Sequence, residues 1–397
     1  MKRAGVIMML LAACVLLSAC WSSTPIEDLN LIVGIALDSA DETEVEAGFE
    51  REGGNYPKED KISCTYQFMI PQGAAGPQKG SSQTRNFNNI TETGDSIFEA
   101  IRELLLRTNR PLNGYHLKTV VIGEQLARSM NISELIGFYT RDNNIRPNVL
   151  LLVSRGRARD VLNNALPGQI PAFVLEGIFN NRDRNTKIWE PVSMAMVVGP
   201  LYGKTSFLLQ NVNSAGKEPK FAGAGVIKGK TGKLIGFLDE SELEGMVWVT
   251  GKGKGGVLKT YDPDRDKLLT YEIKSMSSKI KAKVEGDDIS FVVNIKSSGR
   301  YAEVLASGGK KLDKAWVEKD EKTLQKQVEK LAQSTVDKMQ HELHVDVAGF
   351  GKSLHIQFPS VWRKVKEDWD ETFSEIPVTY EVNIDIEEYG ASGITAD

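Results

Sequence analysis

Several short stretches of this 397-residue chain carry residue types whose spacing could do chemistry. Ala224-Gly225-Val226-Ile227-Lys228-Gly229-Lys230-Thr231 fits a loosened phosphate-loop pattern, with alanine in place of the first glycine. Such a loop cradles phosphate only where a strand passes into a helix, because the helix N-terminus supplies the N–H groups. Here Gly232 and the strand-like Leu234–Leu238 follow, so the lysines decorate a hairpin. Gly251, Gly253 and Gly256 satisfy G-x-G-x-x-G, but Val257 to Pro263 does not open the helix that a dinucleotide site requires. Asp262, Asp264 and Asp266 begin like a calcium loop, which needs glycine at its sixth position and a carboxylate at its twelfth. Lys267 and Ile273 stand there instead. His341 and His344 fall one residue short of the zinc-protease spacing. His355 could add a third ligand, yet solvent-facing histidines beside a Met339/Leu343 stripe are the commoner arrangement. There is no G-x-S-x-G elbow, and no carboxylate pair is singled out among many. The sequence therefore predicts no catalytic residue, no metal site and no cofactor.

Two thiols remain. Cys64 shares the alternate face of Ile62, Tyr66, Phe68 and Ile70, which predicts an inert thiol on the apolar side of a strand. Cys20 is different. It follows a basic start at Lys2 and Arg3 and an uncharged apolar run from Ala4 to Leu17, too short to span a bilayer. Residues 1–19 read as a signal peptide, and Leu17-Ser18-Ala19-Cys20 resembles the lipobox of bacterial lipoproteins. In that chemistry Leu17, Ser18 and Ala19 are recognised by the signal peptidase. The Cys20 thiol takes a diacylglyceryl group, cleavage frees its amine, and the amine takes a further acyl chain such as palmitate. One acyl chain binds a membrane marginally, whereas two or more anchor stably. The expected mature chain is tethered to a bilayer without crossing it.

The composition suits this reading. With 49 basic and 53 acidic side chains the formal charge is −4, and cleavage before Cys20 makes it more acidic by removing Lys2 and Arg3. Nucleic-acid binding normally demands a basic face, so no nucleic-acid partner is expected. Three cysteines, one lost with the leader and one carrying lipid, leave no disulfide framework. A content of 41% hydrophobic and 26% charged residues is that of a globular chain.

The elements follow from periodicity. Leu31–Leu37, Ile62–Ile70, Leu117–Ile122 and Val149–Val153 read as strands, and residues 41–61 as an exposed acidic excursion. Residues 71–85, rich in Gly, Gln and Ser, read as a loop. Helices are predicted with Ile97, Ile101, Leu104, Leu105 and Thr108 on one side, around Ser133–Tyr139, and near Ala158–Leu162 and Ala172–Phe179. From 201 to 265, hairpins are expected at Ala224–Ile227 with Leu234–Leu238 and at Gly245–Thr250 with Val257–Tyr261. Further on come alternating strands around Ile280–Val284 and Ile289–Ile295, then a helix from Lys314 to Leu343 with Leu324, Val328, Leu331, Thr335, Met339 and Leu343 on one stripe. A last helix aligns Val361, Val365, Trp369 and Phe373, and a final strand aligns Val378, Tyr380, Val382, Ile384 and Ile386. The expected class is α+β, in three consecutive mixed α/β domains after the leader. These are residues 20–200, a hairpin-rich middle at 201–265, and a C-terminal domain of antiparallel strands plus long helices at 266–397.

The order of segments resembles the Ger(x)C family, the lipoprotein C subunits of spore nutrient germinant receptors. The resemblance rests on Cys20-Trp21, Ile26–Leu29, Val33-Gly34-Ile35-Ala36-Leu37-Asp38, His116–Glu124 with Arg141-Asp142, and Gly223–Ile227 leading to Gly236-Phe237-Leu238. It is most specific at Asp346-Val347-Ala348-Gly349-Phe350-Gly351, Pro359, Trp362, Trp369 and Phe373, before a strand closing at Gly390. It implies a non-catalytic subunit anchored on the outer face of the spore inner membrane and assembled with A-type and B-type integral membrane subunits. Only Cys20 carries over as a functional residue. Ser22 stands where many relatives have Asp, which leaves lipidation chemistry intact. The alternative expectation is a solute-binding lipoprotein that delivers a nutrient to a transporter, with two similar lobes around a cleft.

Overall fold

The computed structural model describes residues 25–54, 56–59, 61–70, 85–216, 218–262, 267–304 and 314–388. Leu17, Ser18, Ala19 and Cys20 lie outside the described residues, as do Asp264 and Asp266.

Two sheets organise the chain. The first contains β1 (Asn30–Ser39), β2 (Ile62–Met69), β3 (Phe87–Gly94), β4 (Leu112–Asn113), β5 (Thr119–Gly123), β6 (Leu150–Ser154), β7 (Phe207–Ala215), β8 (Glu218–Lys228) and β9 (Lys233–Leu238). Its order is β3-β2-β1-β5-β6-β7-β8-β9, with β4 pairing β1. The centre, β1 with β5, β6 and β7, is parallel, and antiparallel hairpins complete both edges. Parallel strands buried on both faces need continuous apolar runs. Leu31–Leu37 and Thr119–Gly123 supply them, and each of these residues is buried.

The second sheet is β10 (Gly256–Asp262), β11 (Lys267–Glu285), β12 (Asp288–Val304) and β13 (Val378–Glu388), in that order. β10 to β12 form an antiparallel meander, while β13 pairs β12 in parallel. A right-length crossover is needed to bring a parallel strand back. The Lys314–Asp337 helix and the short helices after it provide that crossover. Leu324, Val328, Thr335 and Met339 are fully buried as the stripe predicts. The strands of 201–265 are shared between the sheets: β7 to β9 extend the first, and β10 opens the second.

Four local readings need correction. Gly245–Thr250 is not a strand but the second half of a helix, Glu240–Thr250. Residues Leu243 to Val249 are all buried, so no amphipathic period marks the helix, and its Val and Trp content imitates a strand. Its caps were readable: Asp239 and Glu242 form a capping box, and Gly251 at φ +66° closes it. The 41–61 excursion contains the helix Glu44–Arg51, started by the Thr43/Glu46 capping box, and Glu46 is buried. The last helix is broken into Pro359–Val365, a 3-10 turn at Lys366–Asp368, and Trp369–Glu375. The helix starting at Ile97 ends at Leu104, which leaves Leu105 exposed in a following 3-10 turn.

The Glu240–Thr250 helix lies against the long helix, and Gly245 sets their distance. A Cβ at 245 would collide with Thr335 Oγ1 and the Leu331 carbonyl oxygen. The Thr335 hydroxyl sits 2.9 Å from the carbonyl oxygens of both Glu242 and Leu331, and Lys338 Nζ lies 2.8 Å from the Glu242 carboxylate. Gly245→Ala should lower stability by about 2–3 kcal/mol, the cost of overpacking a contact whose opposing atoms are a buried, hydrogen-bonded hydroxyl and a helix backbone. Urea denaturation checks it; an unchanged midpoint would mean that the two helices can separate freely.

Candidate functional site

The segments that carry the resemblance fold into caps and close contacts. Asp38, at the end of β1, is 7% exposed. Its Oδ1 accepts the Ala158 N–H at 2.7 Å and its Oδ2 the Arg159 N–H at 2.8 Å, so it caps the helix Ala158–Asn163. Gly123 leaves room for this carboxylate, since a Cβ there would overlap Asp38 Oδ1. Burial pushes the Asp38 carboxyl above its ordinary range, and the two N–H groups and Arg159 only partly oppose that.

Asp346 has the richer network. Its Oδ1 accepts the N–H groups of Ala348, Gly349 and Phe350 at 3.1, 2.8 and 3.2 Å. Its Oδ2 accepts Gly351 N–H at 2.7 Å and the Trp369 indole N–H at 3.0 Å. Gly349 adopts φ +92°, a turn that favours glycine, and the helix Phe350–Gln357 begins directly after it. Gly351 lets two indoles close in: a Cβ there would lie 2.6 Å from Trp369 Nε1 and 3.0 Å from Trp362. Trp362 and Trp369 pack edge-on at 5.2 Å, and Trp369 reaches Phe291 on β12 at 6.3 Å. This acid therefore ties a loop, a helix start and an aromatic cluster to the second sheet.

The remaining sequence candidates are held apart. His341 Nδ1 lies 3.1 Å from the Asp337 carbonyl oxygen, His344 Nδ1 lies 3.2 Å from Ser374 Oγ, and His355 stacks on Trp362 at 5.7 Å. Among the described residues no group of three or more His, Cys, Asp or Glu is placed to hold a metal ion. Ala224–Thr231 spans β8 and its turn into β9, and Gly251 to Gly256 joins a helix to β10, so neither glycine stretch opens a helix. Cys64 is fully buried, and burial pushes its thiol up to about 12. No helix among the described residues is long and apolar enough to cross a membrane.

One cleft, of about 470 Å³, sits at the β3 edge of the first sheet, lined by Glu46, Phe49, Tyr56, Ile90, Glu92 and Arg107 among others. Several of its charges are already matched. Glu92 pairs with Arg107 at 2.8 Å, Glu46 accepts the Thr93 N–H at 2.6 Å, and Lys58 pairs with Glu42 and Glu50 at 2.9 and 3.0 Å. Burial pushes the Glu92 carboxyl up, against the pull of Arg107. The Arg107 guanidinium lies 5.4 Å over Phe49, which is half exposed. Such a cleft can receive a side chain or small molecule against Phe49. Sequence reasoning missed it, although Thr43-x-x-Glu46 is a capping-box spacing.

Comparison with known proteins assigns the architecture. The model of the spore germination protein N-terminal domain matches residues 22–213, and that of the spore germination B3/GerAC-like C-terminal domain matches residues 222–390. Spore germination protein YndF of Bacillus subtilis (strain 168) is 41% identical over 392 residues, covering 98% of this chain and 96% of the relative. The chain belongs to the Ger(x)C family. Another Ger(x)C relative, spore germination protein B3 of the same organism, is 30% identical and covers 97% of this chain and 96% of its own length. The crystal structure of the GerBC protein matches with a TM-score of 0.61 at 26% identity, over 89% of this chain and 97% of that one. The mixed α+β architecture is thus a Ger(x)C fold. Within it the buried acids Asp38 and Asp346 cap helix starts.

Proposed function

We propose that this protein is the lipid-anchored subunit of a spore germinant receptor, required for nutrient-triggered germination and acting by assembly rather than catalysis. The observation that carries the reading is full-length similarity to spore germination proteins, at both family models and in YndF. Leu17-Ser18-Ala19-Cys20 supports S-diacylglycerylation and N-acylation of Cys20, and with them attachment to the outer face of the spore inner membrane. The partners are A-type and B-type integral membrane subunits. A solute-binding lipoprotein would have two similar lobes, whereas here a nine-stranded sheet with a parallel centre stands beside a four-stranded one. The division into units at 20–200, 201–265 and 266–397 belongs to the same proposal.

Affinity isolation from detergent-solubilised spore membranes tests the partnership. The A-type and B-type subunits should co-purify with the tagged protein. Recovery of the tagged protein alone, while the other two subunits co-purify with each other, would remove it from the receptor.

A further inference from the structure

The chain enters the fold at one defined end of the first sheet. β1, β5, β6 and β7 are parallel, so Asn30, Thr119, Leu150 and Phe207 all begin there, and β8 returns to it because Ile227 pairs with Phe207. Asn30 is pinned at this end: its backbone N–H donates to the Pro111 carbonyl at 2.9 Å, and its side-chain amide to the Arg110 carbonyl at 3.0 Å. Cys20 precedes Pro25 by five residues. Five residues of extended chain reach at most ~18 Å. An acylated Cys20 therefore keeps this end close to the bilayer. The opposite end of the ten-residue strand β1 is about 30 Å away.

The helix Met194–Tyr202 lies at the same end. It starts where the Met194 N–H donates to the Val149 carbonyl at 2.9 Å, at the head of β6. It finishes beside the β8–β9 turn, where Gly229 packs so closely on Lys204 that a Cβ would overlap the Lys204 backbone. The helix has no charged side chain. Only Met194 and Val197 are its buried large side chains, while Met196 is 52% and Tyr202 89% exposed. A helix apolar on all sides belongs in a core or against lipid. Just beyond it Lys204 and Lys230, the latter on the β8–β9 turn, are both exposed, in a chain whose overall charge is −4. Exposed Asp28 and Glu134 are acids of this end, and Asp370, 3.9 Å from Lys228 and within electrostatic reach of Lys230, partly offsets the positive charge of the turn.

We propose that this end makes a second, non-covalent contact with the membrane. Met196, Val198 and Tyr202 enter the interfacial layer, and Lys204 and Lys230 meet anionic head groups. A tyrosine suits that layer because its ring is apolar and its hydroxyl stays wet. The contact rests on the lipid-anchored reading above, and it adds a fixed orientation on the bilayer to attachment at one residue.

The test uses the lipidated full-length mature protein in vesicles of phosphatidylcholine mixed with phosphatidylglycerol. A fluorophore is placed at Tyr202→Cys or, as the distant control, at exposed Ala40→Cys beyond the far end of β1. Buried Cys64 stays unlabelled. The label at 202 should be quenched by spin-labelled lipid while the label at 40 is not. Replacing Lys204 and Lys230 with glutamine should lower the equilibrium constant of the contact, read from that quenching, about fivefold per lysine. Equal water accessibility of both labels on vesicle-bound protein overturns the contact and leaves the anchor standing. A label at 202 that is open in lipid vesicles but buried in receptor-containing membranes assigns the face to a protein partner, which also overturns it. Protein that leaves the vesicles and carries no acyl group on Cys20 by mass spectrometry overturns the anchor, and this contact with it.

Discussion

Asp346→Ala should lower the free energy of unfolding by about 4 kcal/mol, a large change for one side chain. The carboxylate is 8% exposed and accepts four backbone N–H groups and one indole N–H. Hydrogen bonds to a charged group contribute about 1.5–3 kcal/mol each, and a buried donor left without a partner costs about 1–3 kcal/mol. The sum is not additive, because Gly349 and Ala348 lie near solvent and water can replace their acceptor. Phe350 and Gly351 are buried and have no such relief. The loss should appear in urea denaturation as a lower midpoint at unchanged slope. It should also appear as altered tryptophan fluorescence, since Trp362 and Trp369 both pack on Gly351. Asp346→Asn retains one acceptor oxygen and should cost roughly half as much. An Asp346→Ala midpoint equal to the parent would mean that the loop finds other acceptors, and that the acid is not the organiser of this region.

Cys20→Ala should abolish nutrient-triggered germination in spores that carry it. Without the thiol there is no diacylglyceryl group, and each lost buried methylene removes ~0.8 kcal/mol of membrane affinity. The remaining contact through Tyr202, Lys204 and Lys230 is far weaker than two or three acyl chains. Tethering raises the effective concentration of a partner into the millimolar range, and its loss typically costs a factor of about 10²–10⁴ in avidity. The described elements, from Ile26 onward, should be unaffected, so the variant should have the parent's denaturation midpoint. Membrane fractionation and the fall in optical density after nutrient addition provide the readouts. Normal germination by spores whose variant remains membrane-bound would show that Cys20 is not the anchor.

The buried strands were legible because Leu31–Leu37 is a short continuous apolar run closed by Asp38, while their parallel pairing, which joins segments far apart in sequence, was not. The long helix was legible for the opposite reason, since one buried stripe against a charged surface makes the 3.6-residue period visible. Glu240–Thr250 defeated the same method. Packed on all sides between the sheets, it has no polar face to set a period, and only Asp239, Glu242 and Gly251 mark its ends. Glu46 and Glu92 were invisible as cleft residues because 46 positions separate them in sequence and only the β3 edge brings them together. The apolar helix Met194–Tyr202 was readable as uncharged, but its exposure was not.

By itself the sequence carried the resemblance to Ger(x)C proteins, which the family comparisons bear out, and the expectation of a leader with a lipidation motif at Leu17–Cys20. These depend on local spacing, which a linear reading preserves. Tertiary structure alone decided that Asp38 caps the helix at Ala158 and that Asp346 also takes the Trp369 indole, because those partners lie far away in sequence, whereas the other four donors to Asp346 are its near neighbours. Tertiary structure likewise decided that one end of the sheet gathers the start of β1, an exposed apolar helix and two lysines. Parallel pairing puts strand starts on one side whatever their distance in sequence, and the order of residues carries no record of that.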